Sequence, residues 1–134
     1  MARDDAWSFY ESLTDQDRRD LTEVQREVAA ICDLRQEVSS GGLDAYLRYG
    51  GGDSAPEALA ALPKVLGPAW AELLHTAMSL LGPEYPTDAD ARSARMENRD
   101  LDDALDALDA RYFELEGSSD ADARVSSYLA GGDG

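Results

Sequence analysis

Apolar residues recur along the chain at spacings of three and four positions, and they never alternate over a useful length. This period predicts helices and no strands. The clearest amphipathic segment runs from Pro68 to Leu81, and its apolar face consists of Trp70, Leu73, Leu74, Ala77, Leu80 and Leu81. We therefore predict an all-α fold, a compact single-domain bundle of about six to eight short helices.

Start and stop signals divide the first half of the chain. A first helix is predicted at about Asp4–Leu13. Thr22-Glu23-Val24-Gln25 has the form of a capping box, so a second helix is expected to begin there and to end at Gly41-Gly42. A shorter helix is predicted at Leu43–Tyr49. Ser54-Ala55-Pro56-Glu57 has the form of another capping box, which predicts the start of the next helix.

The last third of the chain is strongly charged. One long helix or two are predicted up to Glu116, with a stop at Gly117. The narrow apolar seam of this segment is Leu101, Leu105, Leu108, Tyr112 and Leu115. A short last helix is predicted at Asp120–Leu129. We expect one helical domain over residues 1–130 and a flexible tail at 131–134.

Acidic side chains dominate the polar positions. The 134 residues carry 28 acidic and 12 basic side chains, a formal net charge of −16 at pH 7. This balance excludes a nucleic-acid binder that works by neutralising phosphates. No apolar run approaches the ~18 residues of a membrane span, and the N-terminus shows no secretory pattern. We expect a cytoplasmic protein with no membrane partner and no direct nucleic-acid partner.

Residues that commonly perform chemistry are few. Cys32 is the only cysteine and His75 the only histidine, so a zinc site of thiolates and imidazoles is nearly excluded. We interpret Cys32 as a buried thiol and His75 as a surface or interface residue. The segment at residues 50–54 lacks the lysine of a P-loop, and no segment matches a calcium-binding loop. The sequence predicts no enzyme, no cofactor and no metal site.

Carboxylates near the apolar seam are the candidate binding residues. With the seam in the core, Asp102, Asp103, Asp106 and Asp109 are expected to face water. Asp102, Asp106 and Asp109 form a row with axial spacings of about 6 and 4.5 Å. Phosphates on one DNA strand rise by about 3.4 Å per nucleotide. The full candidate set is Glu97, Asp100, Asp102, Asp103, Asp106, Asp109, Glu114 and Glu116.

The overall charge density is of the same order as that of duplex DNA. A globule of this length is about 36 Å across, which gives about one net negative charge per 2.3 Å. Duplex DNA carries about one charge per 1.7 Å. Two interpretations follow from charge alone: the carboxylates imitate phosphates, or the acidity serves solubility, as on many acidic proteins.

Residues 37–67, EVSSGGLDAYLRYGGGDSAPEALAALPKVLG, resemble the Glu-Val-x-Asn-Gly-Gly-Phe signature of a bacterial, all-helical DNA-mimic protein family. Matching positions are Glu37, Val38, Gly41, Gly42, Tyr46, Gly52, Asp53, Ala61, Leu62 and Gly67. Positions that depart from the pattern are Ser40, Leu43, Leu47 and Tyr49. The segment 105–131 is similar to later helices of the family, and the resemblance spans about residues 20–130.

The resemblance implies a protein-binding helical domain without known catalysis, often considered a dimer. Its implied partner is a basic DNA-binding protein, either a helix-turn-helix transcription regulator or a histone-like nucleoid protein. The signature residues expected to serve turns and packing are Glu37, Gly41, Gly42, Tyr46, Gly52, Asp53 and Gly67. The leading hypothesis is an acidic protein that mimics duplex DNA and sequesters such a partner. The alternative is an interaction or immunity-type module that docks through apolar contacts.

Overall fold

The computed structural model describes residues 6–13, 20–97 and 99–131. All regular structure in these ranges is helical, which confirms the predicted all-α bundle. Seven α-helices occur there: α1 (Ala6–Glu11), α2 (Glu23–Arg48), α3 (Ala55–Val65), α4 (Pro68–Ser79), α5 (Ala89–Glu97), α6 (Asp102–Ser119) and α7 (Ala121–Leu129). A 3₁₀ segment at Gly50–Ser54, the glycine turn, joins α2 to α3.

Helix α2 lies at the centre of the bundle. It packs against α1, α3, α5, α6 and α7, and residues 27–35 are buried without interruption. The predicted capping box at its start is present, because Thr22 Oγ1 accepts from the Gln25 N–H while Gln25 Oε1 accepts from the Thr22 N–H. Cys32 is fully buried in this helix, as expected, and His75 is exposed on α4.

The predicted apolar faces of α4 and α6 pack against each other and form part of the core. Trp70 and Tyr112 meet edge to face, with ring centroids 5.6 Å apart, and Trp70 Nε1 donates to Ser119 Oγ at 3.0 Å. Leu105, Tyr112 and Leu115 of the seam are buried, whereas Leu101 and Leu108 are half-buried. The helical period therefore identified the buried sides of both helices correctly.

Several element boundaries differ from their predictions. Gly117 lies inside α6, and the left-handed residue that ends the helix is Asp120, with φ of 53°. Aspartate tolerates this conformation better than most residues with side chains, so a glycine is not required there. The charged segment forms two helices, α5 and α6. The N-terminal part of the helix predicted at about Asp4–Leu13 and residues 132–134 of the predicted tail lie outside the described ranges.

The predicted second capping box is also wrong. Ser54 makes no side-chain cap at the start of α3, because its Oγ donates instead to Asp33 Oδ2 at 2.7 Å. Pro56 does lie in the first turn of α3, where its missing N–H leaves no hydrogen bond unmade. The Ser54 hydroxyl therefore makes a tertiary contact with α2 instead of capping α3.

Candidate partner-binding surface

The start of α6 presents free carboxylates to solvent. Asp102, Asp103 and Asp106 are exposed, and no described residue forms an ion pair or a hydrogen bond with their side chains. We call these three residues the α6 acidic face. Asp102 and Asp103 also lie in the first turn, where negative charge interacts favourably with the helix N-terminus. Leu101, the N-cap residue, makes no side-chain hydrogen bond to the start of the helix. The charges of Asp102 and Asp103 therefore stabilise the N-terminus of α6 as well as being exposed to solvent.

Asp109 does not face water as predicted. Its Oδ1 accepts from the Leu43 N–H at 2.8 Å, where α2 resumes after a kink at Gly42. Partial burial raises the pKa of Asp109, the hydrogen bond from Leu43 lowers it, and the negative charges of Asp106 and Asp44 raise it further. The row predicted from spacing therefore loses its third member, because Asp109 borders the seam and is drawn into the contact between α2 and α6.

The kink itself explains two glycines of the signature. Gly42 has φ of 80°, a conformation that side chains rarely adopt, and a Cβ there would lie 2.8 Å from Asp109 Oδ2. A Cβ on Gly41 would lie 2.7 Å from the Ala45 Cβ. Helix α2 thus turns at the predicted glycines, but it continues beyond them to Arg48. The Asp109 carboxylate accepts a hydrogen bond from the Leu43 N–H, the first backbone donor after the turn.

The Glu116 carboxylate is also held by hydrogen bonds within the molecule. It accepts from Arg35 Nε at 2.7 Å and Nη2 at 2.9 Å, and from the Tyr112 hydroxyl at 2.7 Å. Arg35 is buried and forms a second ion pair with Asp122 at 2.8 Å. A bidentate contact of this kind fixes both side chains. Glu116 therefore joins α6 to α2 and is not free to meet a partner.

The three remaining predicted carboxylates are exposed. Glu97 ends α5 and is exposed, and Asp100 is exposed in the connection to α6. Glu114 is exposed and pairs with Arg111 at 3.3 Å, a surface contact of small energy. Asp44 of α2, which the sequence did not single out, is paired with Arg48 at 2.9 Å and lies close enough to Asp109 to raise the pKa of that carboxyl. No sequence signal could have found it, because the proximity arises from the packing of α2 on α6.

The signature residues Gly52 and Asp53 belong to a different structure, the glycine turn. A Cβ on Gly52 would lie 2.6 Å from the Tyr46 carbonyl oxygen and 3.1 Å from Arg92 Nη2, so only glycine fits. Asp53 Oδ1 accepts from Arg92 Nη2 at 2.7 Å. Tyr46 is fully buried, and burial raises the pKa of its hydroxyl well above the usual value. These residues hold the turn against α2 and α5.

Arg92 is the residue of this region that sequence reasoning missed. Its guanidinium is fully buried and donates to the carbonyl oxygens of Leu47 (2.7 Å), Tyr49 (2.8 Å) and Pro86 (3.1 Å). It therefore satisfies carbonyls at the end of α2, as basic side chains do at helix C-termini. In the sequence, Arg92 is one more charge in a strongly charged segment, and no local pattern sets it apart.

A second group of carboxylates surrounds the glycine turn. Residues lining an open cavity of about 510 Å³ include Asp33, Glu37, Asp53 and Glu57. Asp33 is buried and accepts from the Tyr10 hydroxyl and from Ser54, and Glu37 packs against Gly51. Among the residues that the structure describes, no group of three or more histidine, cysteine or acidic side chains is arranged to hold a metal ion.

Gly67, the last signature position, has φ of 112° and joins α3 to α4. Within the described ranges, no helix is long and apolar enough to cross a membrane.

The curated proteins and the solved structures that were compared with the chain contain no match. The family described as DMP19-like protein matches residues 19–131. This match covers most of the 134 residues, and it confirms the resemblance at the level of the family. The chain therefore belongs to the DMP19-like protein family.

Proposed function

We propose that the chain is a non-enzymatic DNA mimic that binds a basic DNA-binding protein and competes with duplex DNA for it. The observation that carries the proposal is the α6 acidic face, three exposed carboxylates that pair with no described residue, in a protein of net charge −16. Membership of the family supports it, since DMP19 denotes a DNA mimic protein and the family is not known as enzymatic.

In this proposal, lysine and arginine side chains of the partner bind Asp102, Asp103 and Asp106 in place of phosphates. Glu97, Asp100 and Glu114 extend the negative surface on either side. Asp109 and Glu116 contribute indirectly: their contacts with Leu43 and Arg35 fix α6 against α2. A rigid presentation of charge lowers the ordering cost of binding. Binding between exposed opposite charges weakens as salt screens them.

The proposed partner is a helix-turn-helix transcription regulator or a histone-like nucleoid protein, which places the complex in the bacterial cytoplasm. A homodimer, which the family resemblance implies, would present two α6 acidic faces in one assembly. Light scattering of the purified chain measures whether one or two subunits are present.

A pull-down from lysate of the source organism tests the proposal. The immobilised chain is eluted in one arm with rising salt and in another with duplex DNA. We expect a basic DNA-binding protein that both salt and duplex release. The absence of any basic partner, or a partner that resists both eluents, would contradict DNA mimicry.

The alternative function, an interaction or immunity-type module, has one observation in its favour. Tyr49 is 60% exposed and Phe113 is 52% exposed, so apolar contact area is available on the described surface. A complex formed through such contacts alone would survive high ionic strength, because salt does not screen apolar burial. The salt arm of the pull-down therefore separates the two functions.

A further inference from the structure

Phe113 stands on the same side of α6 as two residues of the acidic face. It follows Asp106 by seven residues and Asp102 by eleven. At 100° per residue these positions lie within about 20° of one line along the helix, and Phe113 is about 10 Å from Asp106 along the axis. A half-exposed aromatic ring thus continues the direction of the carboxylates.

The neighbours of Phe113 on the helix surface leave the ring uncovered. The positions three and four residues away are Asp109, Ala110, Glu116 and Gly117. Asp109 is drawn to Leu43 and Glu116 to Arg35, while alanine and glycine are too small to cover an aromatic ring. Phe113 touches Tyr112 edge to face at 5.2 Å, yet 52% of the residue remains exposed. The packing that removes two carboxylates from the surface therefore exposes this ring.

Exposed carboxylates beside an aromatic ring are complementary to one kind of DNA-binding surface. Several proteins that bend DNA place lysine and arginine on the phosphates and insert an apolar side chain between two bases, which meets the flat face of a base. The α6 acidic face provides the counterpart of the phosphates. The Phe113 ring provides a flat apolar surface about 10 Å further along the helix.

We propose that Phe113 is the apolar anchor of the complex and takes the place of the base face that such a wedge contacts. The inference rests on the proposed function and specifies the partner: a basic DNA-binding face with an exposed apolar wedge flanked by lysine or arginine. Carboxylates attract many basic proteins, whereas an apolar anchor inside a charged rim selects among them. Phe113 therefore determines specificity, and the α6 acidic face supplies attraction.

The test uses a purified histone-like nucleoid protein whose apolar wedge is intact, and a variant of it with the wedge replaced by alanine. Dissociation constants are measured against the wild-type chain, Phe113→Ala and Phe113→Leu. We expect Phe113→Ala to weaken binding of the intact partner about tenfold, and Phe113→Leu to weaken it less. Against the wedge variant, Phe113→Ala should change the constant by less than about twofold, because the contact is already lost.

Two controls separate this inference from the proposed function. Tyr49→Ala removes the other large apolar side chain that is exposed in the described ranges and should change binding by less than about twofold. The variant D102N/D103N/D106N tests the acidic face. The apolar anchor is refuted, and DNA mimicry stands, if D102N/D103N/D106N weakens binding while Phe113→Ala does not. The same conclusion follows if D102N/D103N/D106N weakens binding and Phe113→Ala weakens binding of the intact partner and of its wedge variant equally. If neither the acidic variant nor duplex DNA affects binding, both fail. Circular dichroism checks that each variant is folded.

Discussion

The glycine turn and the α6 acidic face are both rich in charge, but the structure uses that charge in opposite ways. At the glycine turn, Asp53 is paired with Arg92, and the guanidinium also holds three carbonyl oxygens. On α6, Asp102, Asp103 and Asp106 have no partner among the described residues. The net charge of −16 is therefore a poor guide to the surface offered to a partner. What counts is which carboxylates the fold has left free.

The comparison predicts that charge removal affects stability at the glycine turn and binding at α6. The sharpest stability test is Arg92→Met, which keeps much of the apolar stem and removes the guanidinium. The Leu47 carbonyl oxygen, in a buried contact, loses its donor, and those of Tyr49 and Pro86 each lose one, so the free energy of unfolding should fall by about 3 kcal/mol or more. Urea unfolding followed by circular dichroism measures this.

Arg124→Met is the matched control for Arg92→Met. Arg124 is exposed on α7, and its replacement should change the free energy of unfolding by less than about 0.5 kcal/mol. Equal effects of the two substitutions would show that the buried guanidinium does not hold the glycine turn.

A pair of glycine substitutions tests the contact that removes Asp109 from the surface. Gly42→Ala places a Cβ at positive φ and 2.8 Å from Asp109 Oδ2, so it should destabilise the fold by about 1–3 kcal/mol. Gly117→Ala lies inside α6 with open space around it and should stabilise by about 0.5–1 kcal/mol. Thermal unfolding of both variants shows whether each substitution raises or lowers the stability of the fold. Destabilisation by Gly117→Ala, or none by Gly42→Ala, would contradict the described backbone.

The smallest predicted effect concerns the pH dependence of two carboxylates. The pKa of Asp109 is raised from the usual 3.8, chiefly by burial, so this group stabilises the fold most at acidic pH and loses that contribution as pH rises through its folded pKa. The pKa of Asp122 is lowered from 3.8, chiefly by the hydrogen bond from Trp7, so its contribution is present above 3.8 and is lost as pH falls.

Unfolding of Asp109→Asn and Asp122→Asn across acidic pH measures these opposite trends. The stability of the wild type relative to Asp109→Asn should decrease as pH rises above 3.8. The stability relative to Asp122→Asn should decrease as pH falls below 3.8. Both changes are expected to stay under about 1 kcal/mol because water screens these partly exposed groups. Trends of the same sign for both variants would contradict the assigned environments.

Local signals in the sequence predicted much of the fold. The period of Trp70, Leu73, Leu74 and Ala77 identified the buried side of α4, and the capping box at Thr22 located the start of α2. These features depend on residues a few positions apart. Signals of the same kind failed where a distant residue competed, as when Asp33 took the Ser54 hydroxyl. A capping pattern cannot reveal a better partner 21 residues away.

The candidate surface was predictable only in part. Exposure of Asp102, Asp103 and Asp106 followed from the position of the seam. The engagement of Asp109 with Leu43 and of Glu116 with Arg35 did not, since both contacts join segments far apart in the chain. Arg92 was missed for the same reason: its acceptors belong to α2 and to two loops.

The most direct test of DNA mimicry by the α6 acidic face compares two variants that lose equal charge. D102N/D103N/D106N neutralises the face, and E57Q/E72Q/E84Q neutralises three exposed carboxylates elsewhere. The partner captured from lysate is bound to labelled duplex DNA, and each chain is titrated as a competitor over a salt series. We predict that the first variant loses at least about tenfold in affinity at low salt and shows a flatter salt dependence, while the second stays near wild type. Equal loss in both variants, or none in the first, would contradict the central claim.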